Sequence, residues 1–184
     1  MFFGGGYLLV CYPLPRRRQV NLALFLPGKA DSKTGTPRLR GRGPLGVLVA
    51  AAGSNWTAWP LFTVDTPTWH RGNIGIIGDA AHAMVPFQAQ GAAMGIEDAA
   101  TLGPLLAEHD EPEAAFARFS QIRQERVRRV ARLSASNGRI FHLRWPLSIA
   151  RDAVMQLQGP RAHLKRLDWI YGHDVAPEAG ANSA

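Results

Sequence analysis

Residues 72–98 read GNIGIIGDAAHAMVPFQAQGAAMGIED, and the fold turns on this stretch. Residues 73–77 are a short β-prone run that stops at Gly78-Asp79, so an acidic side chain stands at the carboxyl end of a strand. In an open α/β sheet the crevice outside the carboxyl ends of the strands is where ligands bind. A loop of small residues follows, then Pro86, and Gln90-Gly91 opens a helix expected to run to about His109. The first amides of such a helix have no intrahelical partner and point outward. One loop thus carries a carboxylate at one end and a positive helix terminus at the other. That suits a ligand with hydroxyls at one end and developing negative charge at the other. Gly91 and Gly95, one turn apart, are expected to let the backbone approach its neighbours closely, where an alanine would push it away.

The spaced string Gly78-Asp79-Ala80-Ala81-His82, Pro86-Phe87, Gln90-Gly91 and Asp98-Ala99 resembles the second flavin-binding motif of the single-component FAD-dependent aromatic hydroxylases, in the salicylate and hydroxybenzoate branch. The resemblance implies an α/β fold of mixed helix and strand, in which Asp79 accepts a hydrogen bond from a ribityl hydroxyl of FAD. It also implies that backbone amides at Gly91, Ala92 and Ala93 face the pyrimidine edge of the flavin ring, with Gly78 and Pro86 in the same site. Pro86 and Phe87, together with Tyr12, are assigned to the pocket for a small aromatic substrate. NAD(P)H is the implied co-substrate that reduces FAD, and O2 supplies the oxygen. The cofactor carries that chemistry, so no side chain is given a catalytic role. A helix terminus stabilises a neighbouring anion by roughly 0.3–1 kcal/mol, and a charged acceptor on a hydroxyl adds about 1.5–3 kcal/mol.

Other residues in the stretch invite different chemistry. His82 could be a base or a metal ligand, but no second His, Cys or acid lies at ligand spacing, which leaves it a structural hydrogen-bonding role and no metal. Glu97 and Asp98 are adjacent on a helix and point about 100° apart, so they read as first-turn charges favouring the dipole rather than as a catalytic pair.

The chain has 184 residues, 46% of them hydrophobic, enough for a globular domain or a large part of one. Twenty-one basic and 14 acidic residues leave a formal charge of +7, favouring anionic small molecules, phosphates or a polyanion. Cys11 is the only cysteine, which excludes an intramolecular disulfide and fits a reducing cytoplasm. The apolar amino terminus lacks a basic n-region, and residues 43–64 are broken by glycines and Pro60, so neither a signal peptide nor a membrane span is expected.

Along the chain, residues 7–14 and 19–26 are two β-prone runs joined through Pro15 and Arg16-Arg17-Arg18, a hairpin. By the resemblance, Tyr12-Pro13-Leu14 belongs to the sheet that roofs the substrate. Residues 27–44 read as a loop, 45–52 as a short helix or buried strand, and 56–64 as a strand with Trp56 and Trp59 packed in the core or sheet. Pro104 is expected to kink or end the flavin helix. A capping box at Asp110-Glu111-Pro112-Glu113 starts a long helix to about Ser136, closed by Asn137-Gly138. Phe116, Phe119, Ile122, Val127, Val130 and Leu133 form its apolar stripe. Its arginines, Arg123 and Arg126 among them, are expected on a solvated face, and nucleic-acid binding is not expected. Pro146 begins a further helix to about Gln158. The expected division is residues 1–66 as part of a substrate sheet, 67–110 as the flavin strand-loop-helix, 111–174 as a helical region and 175–184 as a disordered tail.

A Gly-x-Gly-x-x-Gly turn between a strand and a helix, which grips the ADP half of FAD in this family, is missing. Gly4-Gly5-Gly6 precedes a strand and is no substitute. The resemblance is therefore to the C-terminal half of a complete enzyme. The expectation is a piece of a flavin-dependent monooxygenase or one part of a two-chain assembly, with a companion chain carrying the ADP site. A non-catalytic remnant and a basic interaction module are the alternatives.

Overall fold

The computed structural model describes residues 1–28 and 43–175. Most of the loop expected over 27–44, and the tail after 175, lie outside the described residues. Helix and strand are mixed, as expected, and the chain divides into two units.

The first unit comprises residues 1–61 and 139–154. Its antiparallel sheet has the order β1 (Phe2–Gly4), β2 (Tyr7–Leu14), β3 (Gln19–Phe25). Gly5-Gly6 is the turn between β1 and β2, with Gly6 at φ +91°, a conformation open to glycine. The expected hairpin pairs Tyr12 with Asn21 and Leu14 with Gln19, joined by a 3-10 turn at Pro15–Arg17. Residues 45–52 resolve as a helix, α1 (Pro44–Ala52), with proline in its first turn. The expected strand over 56–64 is not there: Trp59 is 80% exposed and no residue of the segment is in a ladder. Its aromatic and β-branched composition is a strand's, but a strand exists only with a partner, and among the described residues none is in a ladder with it.

The second unit comprises residues 62–138 and 155–184. A two-residue hairpin, β4 (His70–Arg71) and β5 (Ile74–Gly75), leads into a helical turn, α2 (Asp79–His82). The strand expected over 73–77 is therefore shorter, extended only by the Ile76 amide donating to Trp69 O at 2.9 Å. After a 3-10 turn at Pro86–Gln88 come α3 (Gly91–Glu108) and α4 (Pro112–Phe141). Of the two further helices, α5 (Leu147–Leu157) falls mostly in the first unit and α6 (Pro160–Tyr171) in the second. Trp69, Ala81, Met94, Leu105, Phe119 and Val130 meet in the unit's core. No described helix is long and apolar enough to cross a membrane.

Two helix ends differ from expectation. Pro104 does not end α3, because Leu102 and Leu105 on either side of it are buried and Gly103 presents no Cβ to the proline ring. Asn137-Gly138 does not end α4 either. Gly138 is where the helix meets the Phe87 ring, at 2.5 Å from where a Cβ would stand, and Asn137 donates to the Gln88 side-chain oxygen at 2.7 Å. The pair that reads as a stop signal is a packing notch.

Candidate functional site

The loop from Gly78 to Gly91 is set by backbone constraints first. Gly78 sits at φ +57°, ψ −140°, a region that side chains exclude. Its carbonyl accepts from the Ala81 and His82 amides, which starts α2 and turns Asp79 outward, where it is exposed. The Met94 amide is the first to close a turn of α3, onto Gln90 O at 2.9 Å, so those of Gly91, Ala92 and Ala93 have no intrahelical acceptor. A Cβ on Gly91 would stand 3.8 Å from Asp79 Oδ1. The carboxylate and the helix start thus lie side by side. On Gly95 a Cβ would stand 3.6 Å from the Gly78 Cα, ordinary contact, so the expectation that alanine there must push the backbone away is corrected.

Pro86 is exposed, and Phe87 is half-buried against Gly138. Tyr12 lies on β2 of the first unit, half exposed. A cleft of about 460 Å³ in the second unit is lined by Val64, Trp69, His82, Met84, Val127 and Arg128 among others. None of the expected cofactor or substrate residues lines it.

Behind the loop lies a charged cluster that the sequence reading missed. Asp98, 0% exposed, accepts from the Gly78 amide at 2.9 Å and from Arg123 Nε at 3.0 Å, and bonds His82 Nε2 at 2.5 Å. Arg123, also 0% exposed, reaches Glu97 at 2.7 Å, and Arg126 grips both Glu97 oxygens at 2.7 Å. Arg126 further donates to the carbonyls of Trp169 and Ile170, covering the last turn of α6. Burial pushes the Asp98 carboxyl pKa up, but the bonds from His82, Gly78 and Arg123 outweigh it and hold the carboxyl below its ordinary value. Glu97 behaves alike: burial raises it and the arginines lower it further than that.

The first-turn reading of Glu97 and Asp98, and the solvated reading of Arg123 and Arg126, are therefore corrected. His82 keeps its structural role, with an acid partner sixteen residues on. One signal was available: Phe119, Arg123, Val127, Val130 and Ser134 fall on one helical face, so Arg123 stands inside the apolar register. An arginine there is buried and must be paired. Among the described residues no group of His, Cys, Asp and Glu could hold a metal ion.

Comparison with known proteins bears on the same loop. Residues 48–136 match the family model described as FAD binding domain. The 3-hydroxybenzoate 6-hydroxylase 1 of Aquipseudomonas alcaligenes is 30% identical over 94% of this chain and 46% of its own length. A 3-amino-4-hydroxybenzoate 2-monooxygenase of Streptomyces platensis is 43% identical over 65% of this chain and 30% of its own. A solved structure, a salicylate hydroxylase substrate complex, superposes with a TM-score of 0.66 at 22% identity, covering 97% of this chain and 48% of that one, a likeness of fold. The chain spans less than half the length of each of these relatives. By sequence the chain is similar to aromatic-ring hydroxylases over less than half of their length, and its residues 48–136 match the model of an FAD binding domain.

Proposed function

We propose that this chain forms the flavin-ring side of the cofactor site in an FAD-dependent monooxygenase that hydroxylates a small aromatic compound with NAD(P)H and O2. The observation that carries this reading is the Asp79 carboxylate beside the start of α3, where a Cβ on Gly91 would stand 3.8 Å from Asp79 Oδ1. The donor set fits the group. A carboxylate accepts from a polyol, free amides donate to the carbonyl and ring nitrogen of a flavin's pyrimidine edge, and glycine leaves room for a ring to approach. When bound, FAD supplies the redox chemistry.

The chain's own residues bind and orient. Asp79 holds the ribityl hydroxyl, Gly78 turns it outward, and the Gly91, Ala92 and Ala93 amides favour negative charge at the ring edge. Pro86, with no amide hydrogen of its own, and Phe87 are assigned to the aromatic-substrate pocket. The hold on the ADP portion of FAD comes from outside these 184 residues, from a longer polypeptide or a companion chain. The exposed side of α3, with Ala92, Ile96, Ala99, Ala100 and Gly103, is an uncharged surface for that half. Cys11, free and alone, fits a cytoplasmic setting.

The test is FAD affinity of this chain completed with the amino-terminal half of a relative. Asp79→Ala should weaken binding by about 1.5–3 kcal/mol without unfolding, and Asp79→Asn by less, since an amide oxygen still accepts one bond. Unchanged affinity in Asp79→Ala removes Asp79 from the site.

A further inference from the structure

The three bonds to Asp98 differ in what they accomplish. Those with Arg123 and His82 balance and orient a buried carboxylate, as any buried acid requires. The third goes to a main-chain amide, that of Gly78, the residue immediately before Asp79. Gly78 is held on its other side by the Ala81 and His82 amides on its carbonyl. The peptide carrying Asp79 is therefore fixed at both ends, and one of the fixing groups stands on α3 itself, two turns after Gly91. A rigid helix thus carries both the free amides at its start and the carboxylate that anchors the loop beside them.

We propose that Asp98 is a positioning residue for the flavin: through the Gly78 amide it sets the Asp79 carboxylate against the amino terminus of α3, and Arg123 and His82 hold it in the orientation that does so. This rests on the reading of Asp79 and the α3 amides as cofactor ligands. A purely structural ion pair needs Arg123 and Asp98 alone. It gives no reason for one carboxylate oxygen to be shared between a histidine and the amide preceding the ribityl acceptor. The neighbouring pair supplies the contrast. Glu97 and Arg126 tie α3 to α4 and the end of α6 just as firmly, yet neither bonds to the loop.

Two readouts on the 184-residue chain test this, one of them independent of any flavin. In Asp98→Asn the exchange of the Gly78 amide with solvent should accelerate about tenfold or more, while amides in the second half of α4 keep their protection. FMN, which carries the ribityl chain and ring without the ADP portion, is titrated to millimolar concentration while the amide signals of Gly91, Ala92 and Ala93 are followed. Asp98→Asn should need about tenfold more FMN for the same displacement. Arg126→Gln, which breaks the neighbouring pair, should lower thermal stability but leave both the Gly78 exchange and the FMN titration as in the parent chain. If Asp98→Asn does not fold, Asp98→Glu keeps the charge, displaces the carboxylate by one methylene, and is expected to shift both readouts the same way.

Gly78 exchange unchanged in a folded Asp98 variant overturns the proposal. So does an Arg126→Gln chain that loses FMN binding as much as Asp98→Asn, since the cluster would then act only through stability. If the parent chain shows no FMN response at 91–93 while Gly78 exchange does accelerate, the anchoring of the loop by Asp98 stands and the cofactor reading of the loop fails.

Discussion

Arg123 contributes most when its partners are intact and costs most when they are not. Fully buried, it faces Glu97 and Asp98, while Arg126 shares Glu97, so two cations and two anions sit together. Removing Arg123 leaves a buried Asp98 with only His82 and an amide, and Arg123→Met should cost about 3–5 kcal/mol of stability, read by urea unfolding at neutral pH. The sign of the pH dependence follows from the carboxylates. Both are held below their ordinary values of 4.5 for Glu97 and 3.8 for Asp98. Their stabilisation is present above those values and is lost as pH falls through the lower folded ones. Stability measured from pH 6 downward should therefore drop steeply below about pH 4, and Asp98→Asn should flatten that limb. An acid limb of unchanged slope in Asp98→Asn would show that Asp98 is not held low.

At the scale of elements, α4 and the turn before α3 meet through a notch. Phe87 lies where a Gly138 side chain would go, and Ser134 Oγ donates to Val85 O while accepting from the Gln88 amide. Gly138→Ala would place a methyl 2.5 Å from the Phe87 ring. It should cost about 1–3 kcal/mol despite alanine's better helix propensity, and Gly138→Ala with Phe87→Leu should recover part of that loss in thermal unfolding. The same site shows what could be read from sequence and what could not. The hairpin of β2 and β3 and the start of α3 were legible because their signals are local: alternation around a proline-basic turn, and Gln90-Gly91 after a loop of small residues. The Asp79 loop was legible for the same reason. The end of α4 was not, because Asn137-Gly138 has the local character of a stop and only Phe87, some fifty residues earlier, gives it another use. The segment around Trp59 failed for the converse reason, having a strand's composition and no strand to pair with among the described residues.

At the scale of the whole molecule, the free energy of holding a cofactor has to exceed the large cost of lost translational and rotational freedom. On the proposed reading this chain would offer one carboxylate and one helix start to a flavin, and it covers less than half of relatives such as the 3-hydroxybenzoate 6-hydroxylase. The 184 residues alone should therefore bind FAD only weakly and should not oxidise NAD(P)H. Flavin fluorescence during a titration, followed by NADH and NADPH absorbance under air, checks both, and tight stoichiometric binding would mean that this chain holds a complete site. Ile74 and Ile96, 75% and 71% exposed, together with the uncharged side of α3, should also make the isolated chain prone to association. The Asp98 cluster points to an order of events. Its three bonds close loops of only 16, 20 and 25 residues, spans that cost little entropy and close quickly. On a ribosome, the loop carrying Asp79 can take its shape soon after the Arg123 codon has been translated and its segment has emerged, before α6 exists. One face of the proposed flavin site would then be formed while the rest of the chain is still being made.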